Sequence, residues 1–174
     1  MDITIMESEL EQHYKRKRRL RYLNQKLPEV QRQINVYEEK IKTCDYSLED
    51  TLSGIDYSGI RVQSSKISKP TEEELMRVHE AIERKLDELR ADKKDTEDEI
   101  SILDGEINLM GNVLSEIPEE HAVDILEQIY GHNKPLREIG VRIGYSHSAV
   151  GKIKDRCLEW LYPVLQPVSK PYTN

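Results

Sequence analysis

Apolar positions early in the chain fall at Leu20, Leu23, Leu27, Val30, Ile34, Tyr37, Ile41 and Cys44, in alternating steps of three and four. That is the heptad rhythm of a helix laying one narrow stripe on a partner. Pro28 interrupts it. A proline inside a helix removes a backbone hydrogen bond and crowds the preceding turn, so the pattern predicts a kink or two helices in succession, and the unbroken stripe favours the kink. From Asp45 to Pro70 no period persists, and Gly54, Gly59 and six serines mark a connector long enough for the chain to reverse. A second stripe begins after Pro70, where Thr71 and Glu74 have the spacing of a capping box. It runs through Leu75, Val78, Ile82, Leu86 and Leu89, then Ile100, Leu103, Ile107, Met110 and Leu114. The seam between Ala91 and Glu99 turns polar, so its pairing should be loose there. Two such helices predict an antiparallel, coiled-coil-like hairpin over residues 1–115, with the connector at 45–70. A seam this narrow and polar predicts that hairpins of two or more chains pack together.

Beyond residue 115 the period shortens. Pro118 suits the first position of a helix, and Val123, Ile125, Leu126, Ile129 and Tyr130 predict its buried face. Gly131-His132-Asn133 reads as its left-handed end. The next stretch, KPLREIGVRIGYSHSAVGKIKDRCLEWL, has the design of a helix-turn-helix. Leu136, Ile139 and Ile143 place one face of a short helix in a core. Gly140 leaves room for close approach, Gly144 supplies the positive φ of a sharp turn, and Ser146 can cap the helix that follows. Val150, Ile153, Cys157, Leu158 and Leu161 give that helix its buried face.

The outward positions near its start are His147, Ser148, Ala149, Gly151 and Lys152. His147, Ser148 and Lys152 can meet base edges in a major groove, with Lys152 able to donate to guanine O6 and N7. Lys134, Arg137, Arg142, Lys154 and Arg156 would flank the groove and contact phosphates, which fixes position without reading sequence. With Ser146, these nine residues are the expected DNA-binding set.

Charge at first argues otherwise, since the formal net charge is −7. Its distribution removes the objection. Residues 1–44 hold ten Lys/Arg against seven Asp/Glu, residues 71–120 six against seventeen, and residues 131–162 six against three. The acidity belongs to the middle, and the C-terminal module is left basic. The basic run Lys15, Arg16, Lys17, Arg18, Arg19 and Arg21 covers most of a helix circumference, which predicts a solvated face or pairing with the acidic second helix. With 37% hydrophobic residues and no Phe, the chain suits long helices rather than one large core.

The segment LREIGVRIGYSHSAVGKIKDRCLEWL resembles region 4 of sigma-70 factors, in which a helix-turn-helix reads the promoter −35 element. By position His147, Ser148 and Lys152 match base-contacting sites there, and Val150 and Ile153 match its core. The whole layout, with DYSGIRVQSS before the second helix, is similar to phage-borne transcriptional regulators of Gram-positive bacteria of the ArpU and RinA type. Ala149 and Gly151 stand where sigma factors often carry arginines. The sigma segment that binds core polymerase and opens DNA is lacking, so the chain does not read as a complete sigma factor.

Other chemistry is sparse. Cys44 and Cys157 are the only cysteines and read as small apolar fillers. Asp92, Asp95, Glu97, Asp98 and Glu99 read as helix surface rather than a metal site, and the five histidines lack ligand spacing. Trp160 and Tyr162 read as core and cap of the last helix. No catalytic grouping or phosphate loop stands out, so neither an enzyme nor a cofactor is expected. Without a leader-like or spanning apolar segment the expectation is a cytoplasmic protein of the bacterial host, with no membrane partner.

The expectation is therefore an all-α chain with a C-terminal helix-turn-helix domain at 116–174. It would bind duplex DNA as a dimer or higher oligomer, and the resemblance implies recruitment or blocking of RNA polymerase. The competing readings are a phage terminase small subunit and a coiled-coil protein-interaction module.

Overall fold

The structure is a computed structural model and describes residues 3–44 and 72–165. Among the described residues every regular element is helical: α1 (Ile3–Thr43), α2 (Glu72–Ser115), α3 (Ala122–Leu126), a π-helical turn (Glu127–Gly131), α4 (Leu136–Ile143) and α5 (His147–Leu165). The protein is all-α, and α2 is continuous through its polar middle. No helix among the described residues is long and apolar enough to cross a membrane. The connector at 45–70, the segment DYSGIRVQSS and the Thr71–Glu74 capping box lie outside what is described.

Two compact units form, one from residues 24–44 and 72–99, the other from 3–23 and 100–165. In the first, α1 and α2 run antiparallel. Val30 and Ile34 pack on Leu86 and Leu89, with Tyr37 and Ile41 half-buried beside them. The polar stretch of the seam is bridged by Lys26, which reaches Asp92 at 2.5 Å and the buried Thr96 at 3.5 Å. Arg90 of α2 pairs with Glu38 of α1 at 2.8 Å. Pro28 sits inside α1 without ending it. It is exposed, as is Asn24, so the carbonyl that loses its donor can face water. Cys44 corrects an expectation: it is exposed past the end of α1, at φ 52°, and fills no core. Leu75, at the start of the second stripe, is exposed too.

The second unit has the larger core. Ile125, Leu126, Ile139, Val150, Leu158 and Leu161 are almost wholly removed from water. Met6, Leu10 and Tyr14 of α1 and Leu114 of α2 join the same cluster. The helix-turn-helix is thus one part of a core that α1 completes. Pro118 departs from its expected role, because it lies in a loop and the helix starts only at Ala122. His121 precedes it at φ 61°, and the Ala122 N–H bonds the Glu119 carbonyl at 3.2 Å. Val123 is exposed, since burial of Ala122, Ile125 and Leu126 leaves its side of the short helix outward. The π turn then widens the spiral, with the His132 N–H on the Glu127 carbonyl at 3.1 Å. It ends at Gly131, and two residues on Asn133, at φ 53°, takes the left-handed conformation expected within Gly131-His132-Asn133.

Candidate nucleic-acid interface

α4 begins after the extended Pro135, whose carbonyl accepts the Glu138 and Ile139 N–H groups at 3.0 and 3.3 Å. It ends at Gly144, at φ 77°, a conformation that costs a side-chain-bearing residue about 1–2 kcal/mol. The chain then folds back over Gly140. The Tyr145 N–H donates to the Gly140 carbonyl at 2.9 Å, and the Tyr145 carbonyl oxygen lies 2.4 Å from where a Gly140 Cβ would sit. Gly140 therefore accommodates the turn's own backbone. Ser146 starts α5: its carbonyl accepts the Val150 N–H at 3.0 Å and its Oγ accepts the Ala149 N–H at 3.2 Å. The buried faces of the two helices meet as the sequence spacing predicts, with Ile139 against Val150, Ile153 and Cys157 in one cluster and Leu136 and Ile143 at its edge.

This geometry turns His147, Ser148 and Lys152 outward on the first turns of α5, all exposed. Ser148 and Lys152 are four apart and share a face. Ala149 and Gly151 are half-buried between them. Ser146 is exposed as well, but its hydroxyl is occupied as the cap.

The five flanking cations fare differently from one another. Arg137, in the first turn of α4, is exposed and makes no ion pair among the described residues. Lys134 reaches Glu138 at 2.6 Å, and Arg142 is paired with Asp124. Arg156 meets Glu119 at 3.1 Å. Lys154 turns towards α1: its ammonium lies 3.0 Å from Glu7 Oε1, and its side chain is only 23% exposed. The Tyr130 hydroxyl donates to the same oxygen at 3.1 Å. The bond from Lys154 holds the Glu7 carboxyl below its usual range, with Tyr130 adding to the effect, while desolvation works against both.

Beside this site lies a group that sequence reasoning placed elsewhere. Arg16 pairs with Glu106 of α2 at 2.9 Å, in line with pairing to the acidic helix. Its neighbours go to the C-terminal segment instead. Lys17 meets Glu127 at 3.4 Å, and Arg18 Nη1 donates to the Gly131 carbonyl at 2.6 Å. His13 is buried, edge-on to Tyr14 at 5.0 Å. Burial lowers its pKa to about 4, helped by the charges of Lys17 and Arg16. The signal for these contacts was the proximity of Met6, Leu10 and Tyr14 to the basic run, at a spacing of four. Nothing in α1 alone names the partner.

Among the described residues no cluster of His, Cys, Asp or Glu could hold a metal ion. Comparison with protein families, characterised proteins and solved structures gives no match.

Proposed function

We propose that this chain is a sequence-specific, duplex-DNA-binding transcriptional regulator of the phage-borne ArpU and RinA kind, acting in the bacterial cytoplasm as a dimer or higher oligomer. The observation that carries the reading is the α4–turn–α5 arrangement, with Gly144 at positive φ, Ser146 as cap, and His147, Ser148 and Lys152 exposed on the first turns of α5. A helix start presented this way can enter a major groove. There Lys152 would donate to a guanine edge, His147 and Ser148 would contact neighbouring bases, and Arg137 would hold a phosphate. Glu7, Asp124, Glu119 and Glu138 keep Lys154, Arg142, Arg156 and Lys134 in place, so these four act on DNA only where a phosphate displaces a carboxylate. Self-association would pair half-sites, and bound protein would recruit or block RNA polymerase.

The test is selection from a random duplex library, followed by titration of the winner and a scrambled duplex at physiological salt. A short motif bound at least about 1000-fold more tightly supports the reading. Lys152→Ala should then cost about 1–3 kcal/mol and relax preference at one base pair. Equal losses on every sequence would remove Lys152 from base readout. No enrichment would favour a terminase small subunit or a protein-interaction module. One observation favours the latter: Val141 on α4 and Leu109 on α2 are 81% and 71% exposed. The particle mass separates these, since a packaging subunit forms a ring of many copies.

A further inference from the structure

Most cations of the unit that holds the helix-turn-helix are neutralised by the fold. Lys15 pairs with Glu11, Arg16 with Glu106, Lys17 with Glu127, and each of Lys134, Arg142, Lys154 and Arg156 has its carboxylate. Arg137 and Lys152 on the helix-turn-helix, and Arg18 and Arg21 on α1, have no carboxylate partner among the described residues. Arg18 and Arg21 are exposed and three residues apart, so they share one face of the helix. Arg18 spends one donor on the Gly131 carbonyl, which leaves most of its fork open. That carbonyl belongs to the turn leading through Lys134 into α4. Tyr14 fixes the same junction, its Cδ1 lying 3.2 Å from where a Gly131 Cβ would be. α1 is therefore held at the entrance to the helix-turn-helix, with two unneutralised arginines facing solvent there.

We propose that Arg18 and Arg21 of α1 form a second strip of phosphate contacts, extending the duplex-DNA footprint beyond α4 and α5. The inference rests on the DNA-binding reading and adds a partner element to the same site. Its chemistry is that of the polyanion. Two forks without carboxylates, one turn apart, suit successive phosphates of a strand and carry no base information. The acidity around this stretch is partly spent already, since Glu106, Glu127 and Glu11 hold Arg16, Lys17 and Lys15.

The salt dependence of binding tests it, on the full chain with a fluorescently labelled duplex of mixed sequence and one carrying any selected site. Each phosphate contact contributes about 0.9 to the slope of log affinity against log salt. Between about 50 and 200 mM salt, R18Q/R21Q should therefore lose affinity about 12-fold less steeply than wild type. The reduction should be equal on both duplexes. R21Q alone, at a side chain with no hydrogen bond or ion pair among the described residues, should show half the change in slope. R18K/R21K, which keeps both charges, should restore it. An unchanged slope in R21Q and R18Q/R21Q, with wild type binding normally, overturns the inference and leaves the helix-turn-helix reading intact. A smaller sedimenting particle with unchanged slope also overturns it and assigns the strip to a second chain. Failure of wild type to bind either duplex at any salt removes both proposals.

Discussion

Gly140→Ala isolates the turn from everything else in the molecule. The new Cβ would stand 2.4 Å from the Tyr145 carbonyl oxygen, a backbone atom that cannot rotate out of the way. A relaxed carbon–oxygen contact needs about 3.3 Å, so the turn must open by about 0.9 Å. Opening it strains the Tyr145 N–H bond to the Gly140 carbonyl, now 2.9 Å, and drags the peptide that carries the Ser146 cap. Overpacking of this kind costs about 1–3 kcal/mol and the weakened hydrogen bond about 1 more. Ala is a better helix former than Gly by up to about 1 kcal/mol, which leaves a net loss of about 1–3 kcal/mol. Gly105→Ala and Gly111→Ala are the controls. Both positions lie inside α2, and a Cβ at either meets nothing within 4 Å. They should gain about 0.5–1 kcal/mol from propensity alone. Gly105 and Gly140 belong to the same compact unit, so one transition reports both. Urea denaturation followed by far-ultraviolet circular dichroism should place the midpoint of Gly140→Ala below wild type and those of the controls above it. A Gly140→Ala protein as stable as Gly105→Ala would refute the geometry of the turn.

Three further outcomes follow from the same unit. Ser146→Ala removes the Oγ acceptor of the Ala149 N–H and should cost about 1 kcal/mol in the same denaturation assay, whereas Ser148→Ala, exposed at the second residue of α5, should cost much less. Between pH 6.5 and about 4 the unfolded chain protonates His13 while the folded chain does not, so stability should fall as pH drops through that window. His13→Leu should flatten that part of the profile, and an unaltered slope would show that His13 takes a proton in place. Cys157 is fully buried and burial pushes its thiol up to about 11, so a thiol reagent should modify exposed Cys44 at once and Cys157 only as the core opens. Simultaneous labelling would contradict the placement of Cys157.

The helix-turn-helix was legible because its determinants are local. Leu136, Ile139 and Ile143 on one side and Val150, Ile153 and Cys157 on the other repeat at helical spacing within a few turns of their partners. Gly140 and Gly144 are demanded by the backbone itself. The hairpin seam was readable for the same reason, except where its pattern ran past its partner, at Cys44 and Leu75. What the pattern could not supply was the docking of Met6, Leu10 and Tyr14. Their spacing of four drifts around α1 and leads into a charged run, so it reads as one more amphipathic turn with no address. Their partners, Tyr130 and Gly131, follow more than a hundred residues later, across a π turn that changes the spacing. Pro118 failed for a related reason. A local preference for a helix start gave way to the burial of Ile117 beside it, which holds the chain in a loop until Ala122.

Charge was the least legible property, and it decides what the interface can do. Counted along the sequence, residues 131–162 offer six cations against three carboxylates. In the fold, Glu7, Asp124 and Glu119, none of them within that stretch, take Lys154, Arg142 and Arg156, and Glu138 takes Lys134. Among the described residues, two cations of the six keep no carboxylate and are left for an anion. An isolated exposed pair is worth only about 0–1 kcal/mol, so a phosphate can compete for Lys134, Arg142 or Arg156. Lys154 is different, because releasing it would leave a half-buried carboxylate with only the Tyr130 hydroxyl. Within the stretch of α1 that belongs to the same unit, Arg18 and Arg21 have no carboxylate partner among the described residues. The charge this surface can offer an anion is thus set by which carboxylates the fold delivers to which cations, and net charge along the chain is a poor guide to it.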